Sequence, residues 1–292
     1  MSDVVMLRPM TSADPAVCVE IFDQAFTEMR TRFCLPVANW TEQDARRQEQ
    51  RFDGFLRTDP AGSWVAVGSD GILGFAQAII RDESLWMLSM LAVRPRRQSA
   101  GVGASLLAAA LAYGEANLPG LVLCSHDPRA TRRYASAGFD LHPAMTARGP
   151  VDPSGLPPAD GVRRGDDSDM EMVAEIDRAV RGASRATDVF RLMGEGGADL
   201  FVAEQEGWVL MFNDRPYALA SRTEDGARRL LSYALRRVPA GRVTEIGWLT
   251  ASQRWAIDLA LSARLDLHPV GPYFTRSLPG PFVPALACGA FG

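Results

Sequence analysis

The chain repeats itself, and that constrains its fold more than any single motif does. At an offset of 155 residues Arg8 meets Arg163, Asp14 meets Asp169, and Glu20-Ile21 meet Glu175-Ile176. At an offset of 124, Leu106-Leu107 and Ala110-Leu111 meet Leu230-Leu231 and Ala234-Leu235; at 126, Ser136-AGFDLHP meets Ser262-ARLDLHP. Three anchors in one order imply an internal duplication, so the 292 residues should build one supersecondary plan twice. The offset falls by 31 between the first and second anchors, which predicts a second copy shortened ahead of its central helix. Between the copies, Gly149-PVDPSGLPPAD-Gly161 is rich in Pro and Gly and has no apolar period, as a linker would. The expected organisation is a domain over 1–149, a linker over 150–160 and a second domain over 161–292. With 47% apolar residues, each can have its own core.

The first copy gives the clearer element order. Asp14 as N-cap and Pro15 at the first helical position open a helix whose apolar face is Cys18, Ile21, Phe22, Ala25, Phe26 and Met29. Ser63-WVAVG and Ile72-LGFAQAII read as strands around the turn Ser69-Asp70-Gly71. Leu85-WMLSMLAV, apolar along its length, suits a central strand covered on both faces. A polar loop then opens a helix from Val102 to about Asn117, followed by a short buried strand at Leu121-VLC. Asp127, Pro128 and Gly138 bracket the next helix, and Phe139-DLHP begins the strand after it.

The chemistry is concentrated at the junction Val93-RPRRQSAGVGASLL. Gln98, Gly101 and Gly103 form Gln-x-x-Gly-x-Gly directly after an apolar strand and at the start of an amphipathic helix. Free N–H groups and the positive end of the dipole make a helix start an anion site. Glycine at 101 and 103 lets a pyrophosphate approach the backbone, and Arg94, Arg96 and Arg97 are expected to add positive charge at the rim. In isolation the same residues could be a glycine-rich turn that merely starts a helix. A P-loop is excluded, because it needs Gly-Lys-Ser/Thr and the chain has no lysine. The glycine spacing also departs from the Gly-x-Gly-x-x-Gly of a dinucleotide fold.

Taken together, Met90-LAVRP, Gln98-SAGVG and Asp127-PRATRRYASAGF resemble the GNAT superfamily of acetyl-CoA-dependent N-acetyltransferases, over roughly residues 4 to 148. The resemblance implies an α/β fold of two tandem GNAT-like domains, each a central mixed, mostly antiparallel sheet flanked by helices. It implies that Gln98, Ser99, Ala100, Gly101, Val102, Gly103 and Ala104 receive the pyrophosphate of acetyl-CoA, a co-substrate, with no metal. The backbone of Leu91, Ala92 and Val93, on a strand splayed from its neighbour, would pair with pantetheine and the acetyl carbonyl. Tyr134 matches the family tyrosine near the CoA sulfur and would be the catalytic acid. The family often has Asn where this chain has Asp127, which departs from its usual CoA contact.

The residues fit that chemistry. Amine attack on a thioester needs a preorganised donor for the oxyanion, and a phenol with an ordinary pKa of about 10 can protonate the departing thiolate at neutral pH. From its helix alone, Tyr134 could equally be an amphipathic residue whose hydroxyl meets water. The general base stays open: Glu28, Asp82 and Glu83 are candidates through an ordered water, and each also suits a solvated surface. An acyl-CoA sensor without turnover is the alternative function.

The second copy lacks these features. Gln98 becomes Arg222, Gly101 becomes Asp225, Gly103 becomes Ala227 and Tyr134 becomes Ala260, with Glu224 and Asp225 where a pyrophosphate would need positive charge. Its end, Phe282-VPALACGAFG, is too apolar to hang in water and should pack on or extend a sheet. Acceptor contacts are expected between the first helix and Ser63, including Phe33, Trp40 and Glu42, and from the second domain. They suit a small-molecule or peptide amine.

Composition narrows the remaining classes. A net charge of −4 does not point to nucleic acid or an anionic membrane. No apolar run approaches a membrane span, and the start MSDVVMLRPM lacks a secretory pattern, so a cytoplasmic protein, monomer or homodimer, is expected. Four scattered cysteines and three histidines form no disulfide or metal spacing. All 31 basic residues are arginine, a bias of GC-rich bacterial genomes.

Overall fold

The computed structural model describes residues 4–36, 40–114 and 118–292, without the side chains of residues 195 and 196. The first copy runs β1 (Met6–Pro9), α1 (Pro15–Arg32), α2 (Glu42–Thr58), β2 (Ser63–Gly68), β3 (Gly71–Arg81), β4 (Leu85–Val93), α3 (Val102–Tyr113), β5 (Gly120–Leu123), α4 (Pro128–Ser136) and β6 (Asp140–Pro150). The second repeats this order as β7 (Val162–Arg164), α5 (Met170–Arg181), α6 (Ala186–Gly196), β8 (Asp199–Ala203), β9 (Gly207–Phe212), β10 (Arg215–Ser221), α7 (Glu224–Arg236), β11 (Val243–Leu249), α8 (Arg254–Ser262) and β12 (Asp266–Arg276). A short strand, β13 (Ala285–Leu286), ends the series. Helix α3 is assigned as far as Tyr113, and the expected extension to Asn117 lies outside the described residues. The second copy's first two helices, of 12 and 11 residues against 18 and 17, supply part of its shortening, and its strands and loops the rest.

The offset of 155 has a physical counterpart. Arg8 clamps Asp14 with two hydrogen bonds of 2.7 and 2.8 Å, and Arg163 clamps Asp169 with bonds of 2.9 and 2.6 Å. Each carboxylate also accepts the amide three residues upstream, from Thr11 and Asp166. Asp14 therefore stands at the N-cap position without capping its helix: its side chain turns back to tie the first strand to the first helix.

The copies share one sheet. The larger sheet has the order β1-β2-β3-β4-β5-β12-β6-β11, and the smaller β13-β10-β9-β8-β7. Strand β12 of the second copy lies antiparallel beside β5 of the first, with Tyr273 opposite Leu123. In return, β6 of the first copy lies beside β11 of the second, and β6 and β12 pair with each other along Asp266–Thr275. Each copy thus lends its last long strand to the other, leaving β5 and β11 no unpaired edge on that side.

The Pro/Gly-rich segment is packed rather than loose. Leu156 is buried in the second copy's core, and the carbonyl of Pro157 accepts from Ser232 Oγ at 2.7 Å. The C-terminal tail packs as its composition predicts: β13 pairs with β10, and Cys288, Ala290 and Phe291 are buried.

Candidate active site

The site begins where β4 leaves β5. Their parallel pairing covers Trp86–Leu88 against Gly120–Val122 and stops there. On the other side, the register of β4 with β3 shifts between Met90 opposite Gln77 and Leu88 opposite Ala78, so Ser89 is an extra, unpaired residue. Such a bulge bends its strand and re-aims the residues beyond it. Past the bulge, Leu91, Ala92 and Val93 line a cleft of about 1030 Å³. Ser89 also lines it, and its Oγ is buried without a hydrogen-bond partner among the described residues.

The loop after β4 closes one end. Ser99 and Gly101 both have left-handed backbones, with φ of 65° and 85°. Among the described residues, the amides of 99–103 donate to no backbone carbonyl, while Ala104 and Ser105 already bond to Gly101 O. Five free amides in a left-handed turn at a helix start form a nest for anionic oxygens. Gln98 anchors the loop by donating to Val93 O at 3.0 Å. Gln98, Ser99, Gly103 and Ala104 line the cleft; Ala100 and Gly101 are exposed in the same turn, and the Val102 side chain packs into the core.

Helix α4 supplies the next wall and corrects the expected source of positive charge. Arg94 turns away to Ile72 O and Gln24, Arg97 pairs with Asp70, and neither lines the cleft. The guanidinium of Arg133 lies over the loop instead, so close that a Cβ on Gly103 would stand 2.7 Å from its Nη1. The periodicity of Asp127-PRATRRY could have found this, since Arg129 and Arg133 lie one helical turn apart. Asp127 caps α4 and is bound by Arg129 at 2.7 Å; burial works against its charge, but the bonds from Arg129 outweigh this and hold the carboxyl below its usual range.

Tyr134 stands among Cys124, Phe139 and Phe274, with its ring edge-on to Phe274 at 5.7 Å. It is 6% exposed, lines the cleft, and its hydroxyl bonds to none of the described residues. Burial pushes the phenol above its ordinary range, so it stays protonated at neutral pH.

The remaining wall comes from α1, α2 and the second copy. Phe22, Phe26 and Arg51 line it, as do Tyr217 and Arg215 of β10, Glu245 and Trp248 of β11, and Ala287–Gly289 of the tail. Phe33, Trp40 and Glu42 do not; the half-exposed Trp40 leans on Phe22 at 5.5 Å instead. Of the candidate bases, Asp82 is held by Arg178 and the Ser184 amide, and Glu28 and Glu83 are exposed outside the cleft lining.

The matching place in the second copy is different. Only Arg222 and Thr223 separate β10 from α7, where eight residues, 94–101, separate β4 from α3. Thr223 caps α7 through the Gly226 amide, so this helix start carries no open loop. Strand β10 keeps a bulge at Tyr217, but the Leu219-Ala220 after it, matching Leu91-Ala92, is paired with Leu286 and Ala285 of the tail.

Among the described residues, no helix is long and apolar enough to cross a membrane, and no cluster of three His, Cys, Asp or Glu side chains could hold a metal. Comparison with curated proteins finds no match. Residues 20–139 match the Acetyltransferase (GNAT) family. Among solved structures, a candidate acetyltransferase from Pyrococcus horikoshii is 18% identical, with a TM-score of 0.74 over 99% of this chain and 96% of that one. A GCN5-related N-acetyltransferase from Sphaerobacter thermophilus is 13% identical, with a TM-score of 0.59 over 95% and 97%. A tandem GNAT protein from the clavulanic acid biosynthesis pathway is 17% identical, with a TM-score of 0.58 over 95% and 100%. At these identities the likeness speaks for the fold, and the family match covers the loop, the splayed strand and the helix of Tyr134. Residues 20–139 thus match the acetyltransferase (GNAT) family, and the chain as a whole shares the fold of these proteins, a tandem GNAT protein among them.

Proposed function

We propose that the first copy, residues 1–149, transfers the acetyl group of acetyl-CoA to a primary amine by direct attack, at one site per chain. The observation that carries this is the turn at 99–103, whose amides donate to no backbone carbonyl and whose Ser99 and Gly103 line the same cleft as the bulge at Ser89 and the buried Tyr134. The pyrophosphate would sit on those amides beside Arg133, and pantetheine would take the strand edge at Leu91–Val93 that β5 has left. The amine lone pair attacks the thioester carbon, and a backbone N–H of the bulged segment meets the developing oxyanion. That attack forms the C–N bond and opens the C=O π bond; collapse restores the carbonyl, breaks the C–S bond and sends the thiolate away with the Tyr134 proton. The surplus ammonium proton leaves to solvent, and Tyr134 is reprotonated; the net products are an amide and CoA thiol. No residue is assigned as base.

The second copy would bind no CoA, since it has no loop and its strand edge is taken by the tail. Its role is to complete the sheet and supply the acceptor wall. An acyl-CoA sensor is the competing reading, favoured by one observation: both carboxylates in the cleft, Asp127 and Glu245, are engaged by arginines. Calorimetric titration should give one acetyl-CoA per chain, and Gly101→Glu, which adds a carboxylate and a strained left-handed residue to the nest, should abolish it. Thiol release with a panel of amines separates enzyme from sensor. Two equivalent sites, or binding that survives Gly101→Glu, would overturn the assignment.

A further inference from the structure

The chain carries a net charge of −4, yet its cleft is lined by six arginines and two carboxylates. The arginines of α4 lie on the CoA side, where Arg133 covers the loop. In the acceptor wall, Arg30 donates to Pro36 O, and Arg215 stands 3.6 Å from Glu245, which Arg148 also approaches at 3.9 Å.

Arg51 differs from all of these. Helix α2 delivers it to the wall beside Tyr217 and Cys288, and among the described residues no carboxylate lies within ion-pair distance of it. Its partners are neutral: the Tyr217 hydroxyl, the Gln48 amide, whose oxygen accepts at 2.6 Å once its O and N are assigned to satisfy both, and the Phe52 ring 5.4 Å from the guanidinium. Burial and the nearby Arg191 both act against its charge. A cation set into a wall of neutral groups is costly unless an anion joins it, and the guanidinium fork fits paired oxygens.

We infer that the amine acceptor carries an anionic group, a carboxylate or a phosphate, received by Arg51 with the Tyr217 hydroxyl beside it. This rests on the acetyl-transfer reading for the word acceptor, and on Arg51 alone for the anion. Acceptors of this class are amino acids and amino phosphates; amines that are cationic throughout would meet Arg51, Arg215 and Arg30 as like charges.

The test has a binding arm that needs no turnover. N-acetyl amino acids and their C-terminal amides, and N-acetylated phosphoethanolamine against N-acetylethanolamine, are titrated calorimetrically into CoA-saturated protein. At least one anionic member should bind 10- to 100-fold more tightly than its neutral partner, the scale of a charge-assisted hydrogen bond. Whether the acid or the phosphate pair shows the gap tells the two sources apart. Arg51→Met should erase the gap and Arg51→Lys restore part of it, with unchanged melting temperatures as the folding control. Equal binding of both members, binding of neither, or a gap that survives Arg51→Met would overturn the inference. In the kinetic arm, the free amines should show the same selectivity in KM. Acid-selective binding without thiol release from any amine would sink the acetyl-transfer reading and support the anion site.

Discussion

Tyr134→Phe isolates a single proton. The ring is 6% exposed and packs edge-on against Phe274 at 5.7 Å, contacts that phenylalanine keeps. The hydroxyl bonds to none of the described residues, so its loss strands no partner, and stability should change by less than ~1 kcal/mol. A lost general acid raises the chemical barrier by ~1.4–4 kcal/mol, a ten- to thousand-fold fall in kcat, while acetyl-CoA affinity should hardly move. Because burial raises the phenol pKa, the wild-type rate should show no alkaline loss from this group below the ordinary tyrosine range. Thiol release read with a disulfide reagent suits the protein: Cys18, Cys124 and Cys288 are buried, so only Cys34 gives a fast background. A variant with wild-type kcat would refute the acid role. One whose kcat and melting temperature fell together would show that Tyr134 is packing.

The same structure carries three further expected outcomes. Arg185, fully buried, binds Asp177 at 2.9 and 3.0 Å and the carbonyls of Leu219, Leu286 and Gly292 at 2.8–3.1 Å; Arg185→Met should cost about 3–5 kcal/mol in urea unfolding, and a loss under ~1 kcal/mol would contradict this account of the tail. The hydrogen bonds from Arg8, then those from Thr11, hold the Asp14 carboxyl at about 2. Its folded pKa lies below its unfolded one, so its contribution of up to ~2 kcal/mol is present above about pH 4 and is lost as pH falls through 2. The stability gap between wild type and Asp14→Asn should close over that window; a gap constant with pH would contradict the ion pair. Finally, protein incubated with acetyl-CoA should gain at most one stable N-acetyl group by intact mass, since a chain without lysine offers only its α-amine.

The sequence by itself determined what depends on neighbours in the chain. Apolar runs and turn residues set β2 at Ser63–Gly68 and β4 at Leu85–Val93, and proline and glycine set the ends of α4, because these are local preferences. The loop at Gln98–Gly103 was legible because a nest needs glycine at a left-handed position, and Gly101 occupies one at φ 85°. Side-chain direction was not legible: Arg94 and Arg97 sit nearer the loop in sequence, yet Arg133 covers it, and Arg51 rather than Trp40 or Glu42 reaches the cleft. The strand exchange was equally hidden. Strands β6 and β12 both begin Asp-Leu-His-Pro, at Asp140 and Asp266, so locally either is as fit as the other to lie beside β5. Only the tertiary structure could choose β12, because backbone pairing reads no sequence, and the choice falls to long-range packing of both copies around the shared sheet.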